Sequence, residues 1–347
     1  MSSSLSSTEK LIAYLNNSAP TVEESLEVFA PLTNGEYDDV HIAALLATIR
    51  TRGETFADIA GAAKAFINAA REFPITGEGI LDTAGTGGDG TNTINISTGA
   101  SLIAAAGGAR VVKCGNRSVS SKSGSADVLE RLNLPLDLDI DRAVRQFEES
   151  GFTFLFAPAY HPAVAHVMPV RRALKVATLF NTLGPILSPA RPQFQLMGVA
   201  NPKIGRVVAE VFAELGRDRA MVVHGSGTDE IAIHGPTTVW ELNNGEISEY
   251  TVEPADFGLE RSELSELTGG DGAENAEHLR AVFENRGPRA HRDALAATAG
   301  AMFYLTGHTE DLAGGTAKAL ELLESGDVAQ WLLKHENTDY SQAEGEK

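Results

Sequence analysis

One cysteine in 347 residues, a shortage of Lys and Arg, and no long apolar run set the first limits on this chain. Cys114 alone excludes an internal disulfide framework and suits a reducing compartment. With 28 Lys and Arg against 47 Asp and Glu, the formal net charge of -19 opposes a nucleic-acid backbone or an anionic membrane as partner. No apolar stretch approaches the roughly 20 residues that span a bilayer, and Met1 to Ser7 lacks the charged and apolar regions of a secretory leader. The expected location is the cytoplasm. No H-E-x-x-H or Cys/His metal spacing occurs, and His161, His166 and His224 stand far enough apart to read as structural. Cys114 has no partnered histidine nearby in sequence, so nothing argues for a thiol nucleophile.

What is present is concentrated between Asp82 and Asp127. Residues 79–84 read as a buried strand, and Gly85-Thr86-Gly87-Gly88-Asp89-Gly90 follows it, a run whose backbone N–H groups can approach a ligand with no Cβ in the way. Ser97 is expected to cap a helix through Ala106, aiming a positive dipole end at the same space. After a second strand at 109–112, a loop carrying Lys113, Arg117 and Lys122 among Ser, Gly and Asn offers cations and hydroxyls for another anionic group. These features together read as a phosphate pocket, with a ligand-free Gly-rich surface loop as the alternative. Gly85, Gly87 and Gly90 also fit G-x-G-x-x-G. However, Thr91 to Ile96 separate them from the helix, and Lys113 stands where a dinucleotide fold wants an acid. An acidic protein that grips polyphosphate needs local shielding, by Lys113, Arg117, Lys122 and Arg171 or by a divalent metal.

The length predicts two domains. Residues 8–72 are helical in pattern, with capping-box spacing at Ser6/Glu9 and Thr21/Glu24 and an apolar stripe at Ile42, Leu45, Leu46 and Ile49. Beyond Pro74, short apolar runs alternate with amphipathic stretches, as in an α/β domain with a central, largely parallel sheet. Strands are expected at 79–84, 109–112, 152–156, 194–200 and 219–223, and a hairpin at 237–252 turns on Asn243-Asn244-Gly245. Helices after residue 272 complete the layer, and the polar tail after Glu336 is expected to fray.

Two more groups carry chemistry. Arg171, in a helical segment, has the fork geometry for bidentate carboxylate recognition, although from residues alone a solvated helix arginine is the reading to prefer. Asp229 and Glu230, ending Gly225-Ser226-Gly227-Thr228, suit Mg²⁺, which takes one or two carboxylates and fills its shell with water and substrate oxygens. An ordinary solvated loop is the other reading.

Gly-Thr-Gly-Gly-Asp, Asn-Ile-Ser-Thr, Lys-x-Gly-Asn-Arg-x-x-Ser-Ser and Gly-Ser-Ala-Asp-x-Leu-Glu, in this order, resemble the anthranilate phosphoribosyltransferases of tryptophan biosynthesis. His161-Pro162, Val170-Arg171-Arg172, Phe180 to Pro185 and Gly225 to Glu230 extend the resemblance over nearly the whole chain. It implies transfer of a 5-phosphoribosyl group from phosphoribosyl pyrophosphate to the amine of anthranilate, with no protein nucleophile. It also implies a homodimer through the small domain, and a division into 1–74 joined by about 162–190 against 75–161 with 191–347. Carried over by position, the donor would meet Gly85, Gly88, Asp89, Thr93, Asn95, Ile96, Ser97 and Thr98, then Lys113, Cys114, Gly115, Asn116 and Arg117, then Ser118, Val119, Ser120, Ser121 and Ser125. Anthranilate would meet Gly85, Asn116 and Arg171, while Ser97, Asp229 and Glu230 would hold Mg²⁺. Cys114 departs from the family, which generally has histidine there. The closest alternative is a pyrimidine nucleoside phosphorylase, whose phosphate motif is not what stands at Lys113 to Ser125. More remote is a catalytically silent relative that binds nucleic acid, which the acidic balance opposes.

Overall fold

The computed structural model describes residues 5–75, 77–117, 122–136 and 138–341. Four helices come first: α1 (Ser7–Leu15), α2 (Val22–Thr33), α3 (Asp39–Arg52) and α4 (Phe56–Asn68). Both expected capping boxes form, and Thr55 with Asp58 makes another at the start of α4. Each box satisfies N–H groups that the first helical turn leaves without intrahelical partners. Asp58 also works inside the bundle, where its buried carboxylate accepts from the Tyr14 hydroxyl and, at 2.5 Å, from Arg52. Arg52→Ala would leave that anion short of its cation at a cost of about 3 kcal/mol. Urea unfolding should show a lowered midpoint, and an unchanged midpoint would contradict the role.

The chain then builds β1 (Gly77–Gly85), α5 (Ile96–Ala106), β2 (Arg110–Gly115), α6 (Ser125–Arg131), α7 (Ile140–Ser150) and β3 (Phe152–Phe156). Short helices α8 (Ala157–Tyr160), α9 (Met168–Leu174) and α10 (Leu179–Leu183) lead to β4 (Pro192–Gly198), α11 (Gly205–Glu214) and β5 (Arg219–Gly225). The hairpin β6 (Thr237–Asn243) and β7 (Glu246–Val252) precedes α12 (Gly272–Phe283), α13 (Arg289–Leu305), α14 (Leu312–Glu324) and α15 (Asp327–His335). Asn244 and Gly245 both have positive φ, 50° and 87°, which matches the right-handed twist of the strands they join.

Among the described residues seven strands form one sheet in the order β3-β2-β1-β4-β5-β6-β7, parallel from β3 to β5 and antiparallel from there. One face packs on α5 and the C-terminal helices through Leu81, Ile103, Val111, Met221 and Phe303. The other face shares a core with α11, the N-terminal helices and α9–α10 through Met197, Val222, Phe212, Ile49 and Phe180. β2 runs beyond the expected Val112, because Lys113 and Cys114 pair with Phe154 and Leu155 of β3 and are buried there. Among the described residues no helix is long and apolar enough to cross a membrane.

Candidate active site

Strand order reverses between β1 and β4: the chain moves outward from β1 through β2 to β3, then returns to β1's other side. Ligands of open α/β sheets occupy the crevice at such a reversal, beyond the carboxyl ends of the strands. Here those ends are Gly85 and Gly198, paired in register. Beyond Gly85 the turn continues through Gly87, Gly88 and Gly90 at φ of 66°, 83° and 76°, a backbone path that only glycine takes without strain.

A loop from β5 closes over this crevice. Ser226 and Gly227 take positive φ, and Gly225 and Thr228 exchange backbone hydrogen bonds at 3.1 Å, so the chain reverses within four residues. Asp229 then lies across both glycines: its Oδ2 accepts from the Gly87 N–H at 2.6 Å. A Cβ on Gly85 would come 2.2 Å from that Oδ2, and one on Gly198 would come 1.6 Å from the Asp229 carbonyl oxygen. The sequence signal for Gly198 is a glycine inside an otherwise apolar strand, which marks close approach of another backbone. Gly198→Ala must lift the acidic loop and is expected to cost about 100-fold in turnover. Unchanged turnover would show that the loop does not rest on β4.

The acids converge electrostatically. Burial, then the neighbouring Asp89, push Asp229 up to about 6, and burial followed by Asp229 drives Glu230 well above the usual carboxylate range. Lys113 offsets this in part. Its placement corrects the sequence reading: Lys113 is not a loop cation but a fully buried strand residue, its Nζ donating to the Thr83 carbonyl at 2.6 Å and to Ser97 Oγ at 3.4 Å. Asp82, at the strand centre, is its second acid neighbour, pushed up to about 6 by burial against the pull of Lys113. Lys113 therefore braces the acid cluster from beneath.

Ser97 needs a second correction. The helix starts at Ile96 and Asn95 occupies the cap position, with no side-chain cap bond. The Ser97 N–H, in the first turn of α5, instead lies toward the Glu230 carboxylate and pulls its pKa down a little against burial. The Asn95 Oδ1 accepts from the Ser123 hydroxyl and from the buried Asn275 Nδ2. Thr98 donates to Ser125 at 3.1 Å, and Thr93 bridges to Thr268. Asp89 folds back on Thr91, accepting from its N–H and hydroxyl.

The cationic loop divides. Arg117 forms a two-pronged pair with Glu130 and approaches Asp127 to 3.8 Å, so it faces the surface of α6 and is not a free clamp. Asn116 is exposed beyond β2, its Oδ1 accepting from the Arg117 N–H. Gly115 ends the strand, where a Cβ would press 2.8 Å from the Phe154 ring. Cys114 is buried, its N–H directed to Asp82 Oδ1 at 3.4 Å and its thiol pKa driven up by burial. Ser118, Val119, Ser120 and Ser121 lie outside the described residues.

Arg171 stands apart on α9. Its guanidinium lies 5.4 Å from the Phe180 ring centroid, a 3.8 Å contact to Met168 Sδ is its side-chain hydrogen bond, and no carboxylate among the described residues pairs with it. Half-burial lowers its pKa. An arginine held on an aromatic face without an acid is available to an incoming carboxylate. Arg172 and Lys175 are exposed.

Among the described residues no three His, Cys, Asp or Glu side chains form a ready cage for a metal. Asp229 and Glu230 nevertheless present hard oxygens in a cluster with surplus negative charge, which suits a cation that takes few protein ligands.

Residues 9–70 match the helical bundle domain of a glycosyl transferase family, and residues 77–329 match its a/b domain. The chain is 71% identical over 332 residues to an anthranilate phosphoribosyltransferase of Corynebacterium diphtheriae, covering 96% of this chain and 97% of that one. The crystal structure of the Thermus thermophilus anthranilate phosphoribosyltransferase superposes with a TM-score of 0.89 at 40% identity, over 94% of this chain and 98% of that one. The Saccharomyces cerevisiae enzyme in complex with PRPP and Mg superposes at 0.85 with 25% identity, over 94% and 97%.

Proposed function

We infer the chemistry from one premise: the chain belongs to the anthranilate phosphoribosyltransferase family. It is a pentosyl transferase of tryptophan biosynthesis, moving the 5-phosphoribosyl group of phosphoribosyl pyrophosphate to the amine of anthranilate. The N–C1 bond forms as the C1–O bond to pyrophosphate breaks, the leaving oxygen keeps the electron pair, and the nitrogen gives up one proton. The observation that carries the site assignment is the crevice over Gly85 and Gly198, where the acid pair, the glycine turn and the start of α5 meet.

In this reading the turn at Gly85 to Asp89 and the segment Thr93 to Thr98 hold the donor, with Asn116 and Ser125 across from them. Asp229 and Glu230 would hold Mg²⁺ beside the Ser97 hydroxyl, supported by their surplus charge and by the yeast complex. Bound there, the ion supplies charge neutralisation to the departing pyrophosphate. Lys113, too deep to reach solvent, keeps Glu230 and Ser97 in place, while Arg171 grips the anthranilate carboxylate and orients the amine. Positioning and charge stabilisation carry the reaction, and no side chain forms a covalent intermediate.

The decisive assay follows anthranilate fluorescence on addition of phosphoribosyl pyrophosphate, with and without Mg²⁺. Loss of fluorescence that needs both is expected, and none in the complete mixture would overturn the reading. We divide the chain into residues 1–74 with about 162–190 and the remainder, supported by the shared core of Ile49, Phe66, Val170 and Phe180. A homodimer through the small domain is supported by Leu5, Ile12 and Val40, which are 56%, 54% and 75% exposed. A single-chain mass at micromolar concentration in sedimentation equilibrium would refute it. A cytoplasmic location accords with the one free cysteine.

A further inference from the structure

The segment from Asn92 to Asn95 does not stand alone. It is laced to residues 267–270, far away in sequence: Ile94 N–H donates to the Leu267 carbonyl at 3.0 Å, Gly269 N–H to the Asn92 carbonyl at 2.8 Å, and Thr93 bridges Thr268. The two backbones lie so close that a Cβ on Gly269 would meet the Thr93 carbonyl and the Ile94 nitrogen at 2.7 Å. Behind this pair, on α12, is Asn275, 1% exposed.

Asn275 makes two side-chain bonds, and their chemistry is directional. The Gly270 N–H can only donate, and it does so to Asn275 Oδ1 at 2.7 Å. That fixes the amide, so Nδ2 must point the other way, where it donates to Asn95 Oδ1 at 2.7 Å. Asn95 is thereby fixed in turn. Its Oδ1 is engaged, also by the Ser123 hydroxyl at 3.0 Å, and among the described residues its own NH₂ group has one long contact, 3.4 Å, to the Ser123 carbonyl. A contact of that length lies beyond ordinary N–H···O bonds and leaves donor capacity unused.

We propose that Asn275 is a positioning residue for the phosphoribosyl donor: through one backbone-locked amide it sets the orientation of Asn95, so that Asn95 presents N–H donors, not its carbonyl oxygen, to an anionic phosphate oxygen. This rests on the donor-site reading of residues 85–98. A substrate oxygen has only lone pairs to offer, and a flipped Asn95 would meet it with another lone pair. An amide free to rotate would spend part of its time in the wrong orientation. Asn275 removes that freedom without touching substrate. It also explains why a buried polar residue sits on α12, against a helix face otherwise lined by Ala276, Leu279, Val282 and Phe283.

The test is the variant Asn275→Asp. Its carboxylate still accepts from Gly270 N–H but cannot donate to Asn95, and so favours the flipped amide. The donor KM should rise about tenfold, the scale of a lost hydrogen bond with an unpaired acceptor in its place, while the anthranilate KM stays as in the parent; the buried carboxylate lowers the thermal midpoint by itself, so both KM values are read well below it. Ser123→Ala, which weakens the same Oδ1, should shift the donor KM the same way, and the two changes together should give less than their product, because both act through one atom. A donor KM unmoved by Asn275→Asp, or effects that multiply in the double variant, would overturn the proposal. So would donor and anthranilate KM values that rise together in the folded variant. Asn95→Ala separates this from the underlying reading. If it raises the donor KM while Asn275→Asp does not, the donor site stands and the role of Asn275 falls; if neither moves it, residue 95 does not contact donor.

Discussion

Asp229→Asn combined with Glu230→Gln is expected to reduce turnover at least 100-fold and to remove most of its dependence on Mg²⁺. Changes one step removed from a metal typically cost 10- to 100-fold, so loss of the holding carboxylates sets that as a floor. The substitutions are nearly isosteric. The crowded contact of Asp229 with Gly85 and Gly198 should survive, and so should the fold. Stability should not fall: burial raises both pKa values, with Asp89 adding to the rise at Asp229 and Asp229 adding to it at Glu230, so the folded protein is burdened by these charges, and neutral amides relieve the burden. Turnover titrated against Mg²⁺, with thermal unfolding in parallel, checks both halves. Unaltered Mg²⁺ dependence in a folded double variant would remove the metal role from this loop.

Arg171→Ala is expected to raise the anthranilate KM roughly 10- to 100-fold and leave the donor KM nearly unchanged. The magnitude follows from losing a charge-assisted pair worth about 1.5 to 3 kcal/mol. The selectivity follows from placement: Arg171 is on α9 against Phe180, and no hydrogen bond or ion pair among the described residues links it to the glycine turn or the acid cluster. Arg171→Lys should recover little, since an ammonium cannot form the two parallel bonds of a guanidinium with a carboxylate. Steady-state kinetics with each substrate varied in turn distinguish this from a general loss of activity. An anthranilate KM equal to the parent's would take Arg171 out of the acceptor site.

Much of this site was legible beforehand because its chemistry is local. Gly87, Gly88 and Gly90 announce a backbone path closed to other residues, and each adopts the positive φ that path needs. The Asn243-Asn244-Gly245 turn and the Ser6 and Thr21 capping boxes formed for the same reason: the deciding contacts join residues two to four apart. Lys113 was misread because neighbours in sequence do not reveal depth. Among Gly, Asn and Ser it looks like a loop cation, yet β2 continues through it and β3 covers it. The pairing of Arg117 with Glu130 is hidden in the sequence because Glu130 is on the next helix, outside the loop's own pattern.

The sequence alone determined the family, the two kinds of architecture along the chain, and the presence of a glycine turn, a helix start and an acidic loop, since each is written in short-range residue order. Tertiary structure decided how they become one site. The Asp229 carboxylate reaches Gly87 across 142 positions, Lys113 reaches Thr83 across 30, and Asn275 reaches Asn95 across 180. The first exists because strand order reverses between β1 and β4, the second because β2 lies beside β1, and the third because α12 packs behind the segment before α5; no local pattern encodes which distant segment will fill each space.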